Sequence, residues 1–297
     1  MSTVLRRLFI LNPLFEEATR TRRKFFRTAG GPGRGLSIAI VGIVALIYVW
    51  LLAEIMISGG GTSQTTFILF TQLVLVTLFM PISVYGAISG ERERTTWEAL
   101  ILTRLTHGQI VVGKMVWRIA GLVILMAIFL LPILLSMMYS ANVSPVNVGR
   151  EAWSVVINAE LMTFTWGFGL CSYGLWVSAN TRKSVTSAAL IFISLLTVLV
   201  LLPILFSMIG GPVSEADYSG NYGAWILMHI NSFYALGRLT DSGNGSYGNN
   251  DGSGPDPLYG ADWGMLQTVV YLVGAAIFLY ATYRTLKLWE EHKNRIG

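Results

Sequence analysis

Cysteine is almost missing from this sequence. With Cys171 alone among 297 residues, the chain can form no internal disulfide and no thiolate metal cluster. Histidine is nearly as scarce, and His107, His229 and His292 lie far apart with no ligand spacing. Charged residues make up 12% of the chain, against roughly 25% in an ordinary soluble domain. There is no Gly-x-Ser-x-Gly elbow, no His-Glu-x-x-His pair and no couple of carboxylates in a setting that suggests acid–base chemistry. An enzymatic reading therefore has no residue to rest on, and no catalytic residue, metal or cofactor is expected in this chain. A short apolar core with a small-residue cleavage site is also lacking before the first long apolar run, so a cleaved signal peptide is not expected.

What the sequence has is apolar length. Hydrophobic residues make up 53% of it and gather in long runs that match the ~30 Å hydrocarbon core of a bilayer. Six spans are expected, at 36–57, 66–88, 115–139, 153–178, 185–209 and 264–284. Pro81, Pro132 and Pro203 fall inside spans two, three and five, where neighbouring helices can satisfy the carbonyls they free. All but two of the 21 Lys and Arg residues then fall on one side of the membrane, leaving only Arg150 and Arg238 opposite. The positive-inside rule makes the crowded side cytoplasmic, with both termini there. The net charge of +5 is explained by cytoplasmic loops facing anionic lipid, and nucleic acid is not an expected partner.

The polar stretches are patterned too. Residues 1–35 form a cytoplasmic segment in which apolar positions among many arginines, including Phe25 and Phe26, predict an amphipathic helix in the inner interface. The domain of spans runs from 36 to 285, and 286–297 is a cytoplasmic tail. In the segment 89–114, Trp97, Leu100, Ile101 and Leu105 recur at helical spacing among Glu91, Arg92, Glu93, Arg94, Glu98 and Arg104. That pattern predicts a short amphipathic helix at the inner surface. Within the external segment 210–263, residues 222–239 are apolar and aromatic but short, as in a re-entrant or interfacial helix. Residues 241–257 read as a flexible linker.

Two motifs mislead. Gly243-Asn-Gly-Ser-Tyr-Gly248 spells the dinucleotide fingerprint, but follows no strand and opens no helix. Gly108-Gln-Ile-Val-Val-Gly113-Lys114-Met115 comes within one residue of a P-loop, with Met115 where Ser or Thr must hold magnesium. Its β-branched residues also hinder a backbone wrapped round phosphate, so ATP hydrolysis by this chain alone is not expected.

Two ionisable residues fall inside spans, Glu54 and Glu160. Glu54 is near enough to the outer end of its span to reach the interface. Below Glu160, the residues Thr163, Gly167, Cys171, Gly174 and Ser178 follow at spacings of three and four, making one small and polar helix face. Such a face serves either close helix packing or the lining of a translocation path or subunit interface.

The run Ser89-Gly-Glu-Arg-Glu-Arg-Thr-Thr-Trp-Glu-Ala-Leu-Ile-Leu-Thr-Arg-Leu-Thr106, followed by Gln109-Ile-Val-Val-Gly-Lys114, resembles the ABC-2 type permease family, the membrane subunits of type V ABC exporters. Asn12-Pro-Leu-Phe-Glu-Glu17 and Asn231-Ser-Phe-Tyr-Ala-Leu236 are similar to the same family. Thr95 and Arg104 depart from its usual Gly and Pro. The resemblance implies an all-α membrane protein of six transmembrane helices in a prokaryotic cytoplasmic (inner) membrane. It implies an N-terminal interfacial helix, a cytoplasmic coupling helix between spans two and three, and an external re-entrant segment between spans five and six.

By the same resemblance, the partners are an ABC nucleotide-binding subunit that binds ATP and Mg, a second permease copy or homologue, and membrane lipids. Glu91, Glu93, Thr96, Trp97, Glu98, Leu100, Ile101 and Arg104 would contact the ATPase; on the lining reading of the small polar face, separate from the resemblance, Glu160, Thr163 and Gly167 would lie on the translocation path. A structural subunit that scaffolds a larger membrane complex without transport is the alternative. A stand-alone carrier would usually show inverted repeats, and none is visible.

Overall fold

A chain segment that must satisfy its own backbone polar groups in lipid does so as a helix. The computed structural model describes residues 33–58, 62–93, 106–143, 150–205, 231–243 and 261–296, and among these all regular structure is helical. In chain order the helices are α1 (Gly33–Ser58), α2 (Thr62–Val84), the short α3 (Ser89–Glu93), α4 (His107–Val143) and α5 (Arg150–Asn180). Then come α6, α7 (Ser232–Gly243) and α8 (Ala261–Ile296). α6 starts as Ser184–Leu196, passes through a π-helical turn at Thr197–Leu201 and ends at residue 205.

Six of these helices coincide in order with the six expected apolar segments. Four stretches of the described residues are long and apolar enough to cross a membrane: Ser63–Glu93, His107–Met138, Ser184–Leu205 and Gln267–Trp289. α1 contributes a shorter apolar stretch, Ala45–Ile57. α5, with 31 residues, is long enough at about 1.5 Å per residue to span a bilayer. Its apolar run is interrupted by Asn158, Glu160, Thr163, Thr165, Ser172 and Ser178.

The position of α5 explains this polarity. It packs against α2, α4, α6, α7 and α8, which cover it from Met162 to Ala179, while Trp153, Ile157 and Leu161 nearer its start are exposed. Asn158, Thr163, Thr165, Ser172 and Ser178 are all buried. The core on α5 is made by Val156, Ala159, Met162, Trp166, Leu170, Cys171 and Leu175, set against Leu69, Leu73, Val76, Met80 and Val84 of α2 and Leu122 and Phe129 of α4. α6 is the opposite case. Val185, Leu190, Phe192, Ile193, Leu196, Val200 and Leu201 are exposed, leaving a long apolar surface bare.

Two helix ends lie well away from the expected span limits. α4 begins at His107 rather than near 115, and α8 continues to Ile296 rather than stopping at 284. Charge ends an apolar run but not a helix. The Lys114 ammonium donates to the Ala87 carbonyl at 2.7 Å, and on α8 Lys287 and Glu291 pair one turn apart at 4.0 Å.

The expected N-terminal interfacial helix lies outside the described residues, as do 94–105 and all of the external segment except α7 and the start of α8. α7 is the described part of the expected re-entrant region. Asn231 caps it, its Oδ1 accepting from the N–H groups of Phe233 at 3.0 Å and Tyr234 at 3.4 Å. The other end of the same amide donates from Nδ2 to the Leu199 carbonyl at 3.3 Å. Leu199 lies four residues before Pro203, which has no N–H to offer that carbonyl.

Candidate functional site

The residues with most of the polar contacts sit where α2 ends and α3 begins. Ser178, near the end of α5, accepts the N–H groups of Ile88 and Ser89 on one hydroxyl, each at 3.0 Å. It thereby satisfies N–H groups that a helix start leaves without intrahelical partners. The Ser89 hydroxyl lies 3.2 Å from that of Ser178 and donates to the Tyr85 carbonyl at 2.9 Å.

Three consecutive charged side chains of α3 then reach three different places. Glu91 forms an ion pair with Lys114 of α4. Arg92 donates from Nη1 to the carbonyls of Ala179 and Thr181 at the end of α5, each at 3.1 Å. Its guanidinium also lies 2.9 Å from the ring centroid of Trp289 on α8. Glu93 accepts from the hydroxyl of Ser184 at 2.6 Å and from its backbone N–H at 3.2 Å, at the start of α6. Arg118, one turn beyond Lys114, donates to the Ser83 carbonyl at 3.1 Å and ties α4 to the end of α2. In this way the first turn after α2 is fastened to the ends of four other helices.

Of the expected ATPase-contact residues, Glu91 and Glu93 are described, and both face this chain's own helices. Thr96, Trp97, Glu98, Leu100, Ile101 and Arg104 lie outside the described residues. The near-P-loop segment Gly108–Met115 lies in the first turns of α4. There its backbone N–H groups from the second turn on serve the helix rather than a phosphate.

The small face of α5 meets α2 along most of its length. Gln72 donates to Glu160 at 3.0 Å, and Cys171 Sγ lies 3.4 Å from the Met80 sulfur. A Cβ on Gly167 would stand 2.8 and 2.9 Å from the Leu122 methyls and 2.9 Å from Val76 Cγ1. A Cβ on Gly174 would stand 3.0 Å from Val84 Cγ1. At Gly167 a side chain would force Leu122 or Val76 to shift, and at Gly174 Val84 would have to give by a few tenths of an ångström, so both glycines favour close helix approach. Thr163 is buried on the same face. Beside this seam, Trp166 Nε1 donates to Thr77 Oγ1 at 2.9 Å, and its ring packs on Tyr271 of α8 with centroids 5.1 Å apart.

Sequence reasoning passed over Arg92, Ser178, Ser184 and Trp289 as members of this cluster. Ser178 was visible at the end of the small helix face, and Arg92 stood between the two glutamates. Nothing in the sequence pointed to Trp289, because its partner lies almost two hundred positions away.

No group of three or more His, Cys, Asp or Glu side chains able to hold a metal occurs among the described residues. The described residues define a helical, multi-pass membrane protein with a polar cluster at the junction of α2 and α3. Residues 81–288, from the last turn of α2 into α8, match the family described as ABC-2 family transporter protein. The chain belongs to the ABC-2 transporter family. Nodulation protein J of Rhizobium leguminosarum bv. viciae is 33% identical over 87 residues, covering 29% of this chain and 28% of that protein. Nodulation protein J of Neorhizobium galegae is 29% identical over 87 residues, with the same coverage. The chain thus matches under a third of the length of these curated relatives.

Proposed function

We propose that this chain is the six-span permease subunit of an ATP-driven exporter in a prokaryotic inner membrane, with both termini cytoplasmic. A separate nucleotide-binding subunit would bind ATP and Mg. The observation that carries this reading is the fastening of α3. The segment after α2, which the family resemblance makes the coupling helix, is bonded at its first turn to α4, α5, α6 and α8. A soluble partner pushing on residues 94–105 would therefore act on the ends of the spans rather than on a loose loop.

In this reading Thr96, Trp97, Glu98, Leu100, Ile101 and Arg104 meet the ATPase, with Trp97 as the aromatic anchor. Glu91 and Glu93 hand its movement to α4 and α6. α1 and α5 complete the six spans, α5 covered by its neighbours from Met162 to Ala179. The exposed apolar faces of α1 and α6 meet lipid and a second permease copy. Glu160, Thr163 and Gly167 lie in the α2–α5 seam, so a translocation path along them opens only when α2 and α5 separate.

The test is gentle purification of the tagged chain from its native membranes, with identification of what accompanies it in stoichiometric amount. A P-loop ATPase that copurifies, and is released or uncoupled by Trp97→Ala or by reversing Glu91 and Glu93, supports the permease reading. A stable assembly with no ATPase overturns it in favour of a membrane scaffold.

A further inference from the structure

Glu91 and Glu93 each connect α3 to one helix. Arg92, between them, connects it to two. Its Nη1 reaches the carbonyls of Ala179 and Thr181, where α5 ends and the α5–α6 turn begins. Carbonyls at a helix C-terminus have no intrahelical donor and carry the negative end of the helix dipole, so a cation bonded there is held by both geometry and charge. The flat guanidinium also lies against the indole of Trp289, on the part of α8 that continues past the expected end of span six. A lysine ammonium is a compact point charge and lacks the extended guanidinium, which donates from one nitrogen while its carbon lies over the ring. At its other end α3 is pinned by the Ser178 hydroxyl on its first N–H groups. A five-residue helix held at both ends is fastened to its neighbours as one piece.

We propose that Arg92 is a positioning residue through which movement of the cytoplasmic segment reaches the α5–α6 turn and the far end of α8. This rests on the permease reading above. It adds to that reading a route the two glutamates do not supply, because α8 is drawn in through Trp289. The extension of α8 is then a working part of the transmission rather than a passive tail.

The experiment uses the full-length complex purified with its ATPase in a Cys171→Ala background, which removes the chain's single thiol. Nitroxide labels go on cysteines placed at Leu288, near the end of α8, and at Met56, at the far end of α1, both exposed. Pulsed dipolar spectroscopy then reads the distance between them with and without ATP and vanadate. We expect the distance distribution to shift on trapping in the parental complex. Arg92→Ala and Trp289→Ala should lose at least about half of that shift while the ATPase stays bound. Arg92→Lys should be impaired like Arg92→Ala, and Trp289→Phe, which keeps an aromatic face, should recover the shift.

Trp289→Ala leaves every hydrogen bond of Arg92 in place, so it decides the matter even where Arg92→Ala fails to fold. A shift in Trp289→Ala equal to the parental one overturns the proposal, as does a parental complex that holds its ATPase yet shows no shift. A parental preparation without any ATPase overturns the permease reading, and this proposal with it.

Discussion

The carboxylate of Glu93 caps a helix that begins 91 residues later: its Oε2 accepts both the hydroxyl of Ser184, at 2.6 Å, and the Ser184 backbone N–H, at 3.2 Å. The residue at the N-cap position of α6 is Lys183, whose backbone is extended and whose side chain makes no cap hydrogen bond. Glu93 reaches across from α3 to take the free N–H of the first helical residue, and its negative charge also suits the positive end of the helix. Glu93→Ala should therefore cost about 0.5–2 kcal/mol locally. Hydrogen exchange followed by mass spectrometry should show faster exchange in the first turn of α6 with the middle of α5 unchanged. Adding Lys183→Asp should restore protection, and unchanged protection in Glu93→Ala would remove the cap from consideration.

Gly167 sets how closely α2, α4 and α5 pack. A methyl group there would stand 2.8 Å from Leu122 and 2.9 Å from Val76, closer than real contacts permit. Overpacking of this kind typically costs about 1–3 kcal/mol. Gly167→Ala should lower the melting temperature of the detergent-purified chain, and Gly167→Val should lower it further. Val76→Ala, destabilising by itself, should be less so in the Gly167→Ala background. Strictly additive effects of the two substitutions would count against a shared contact.

The bond from Trp166 to Thr77 is the clearest buried polar link between α5 and α2 beside that seam. Interhelical hydrogen bonds in membranes average about 0.6 kcal/mol and reach about 1.7 kcal/mol. A double-mutant cycle of Trp166→Phe and Thr77→Val, read by unfolding in mixed micelles, should return a coupling energy in that range. Phe keeps the aromatic contact with Tyr271 while deleting the donor. A coupling near zero would mean that both groups find other partners when separated.

How far the sequence carried depends on the kind of signal. Helix order followed from apolar length, and that signal is strong because lipid penalises each unsatisfied backbone group. Helix ends were harder to place. Lys114 and Arg118 looked like the edge of a span, yet both lie inside α4, their charges taken up by Glu91 and by backbone carbonyls of α2 and the turn after it. The small face below Glu160 was visible as a pattern. Which helix it meets depended on tertiary contacts, and Gln72, Val76 and Met80 carry no mark of that pairing.

The π-turn at Thr197–Leu201 was not visible either. Pro203 announced a disturbance, but the role of Asn231 in meeting the Leu199 carbonyl depends on an element 32 residues away. Within the cytoplasmic cluster, Glu91 and Glu93 stood out in the sequence as charges on a patterned segment. Their partners Lys114 and Ser184 came only with the fold.

The ion pair between Glu91 and Lys114 offers the most direct test of transmission from the cytoplasmic segment to the spans. The measurement is ATP hydrolysis by the complex reconstituted in liposomes, for Glu91→Lys, Lys114→Glu and the two combined. Each single reversal places like charges together in a partly buried site and should reduce the membrane-coupled activity at least about tenfold, a loss of roughly 1.4 kcal/mol. The double reversal should regain much of the parental rate. Single reversals that leave the coupled rate untouched would contradict the role given to Glu91, and with it the passage of force from α3 into α4.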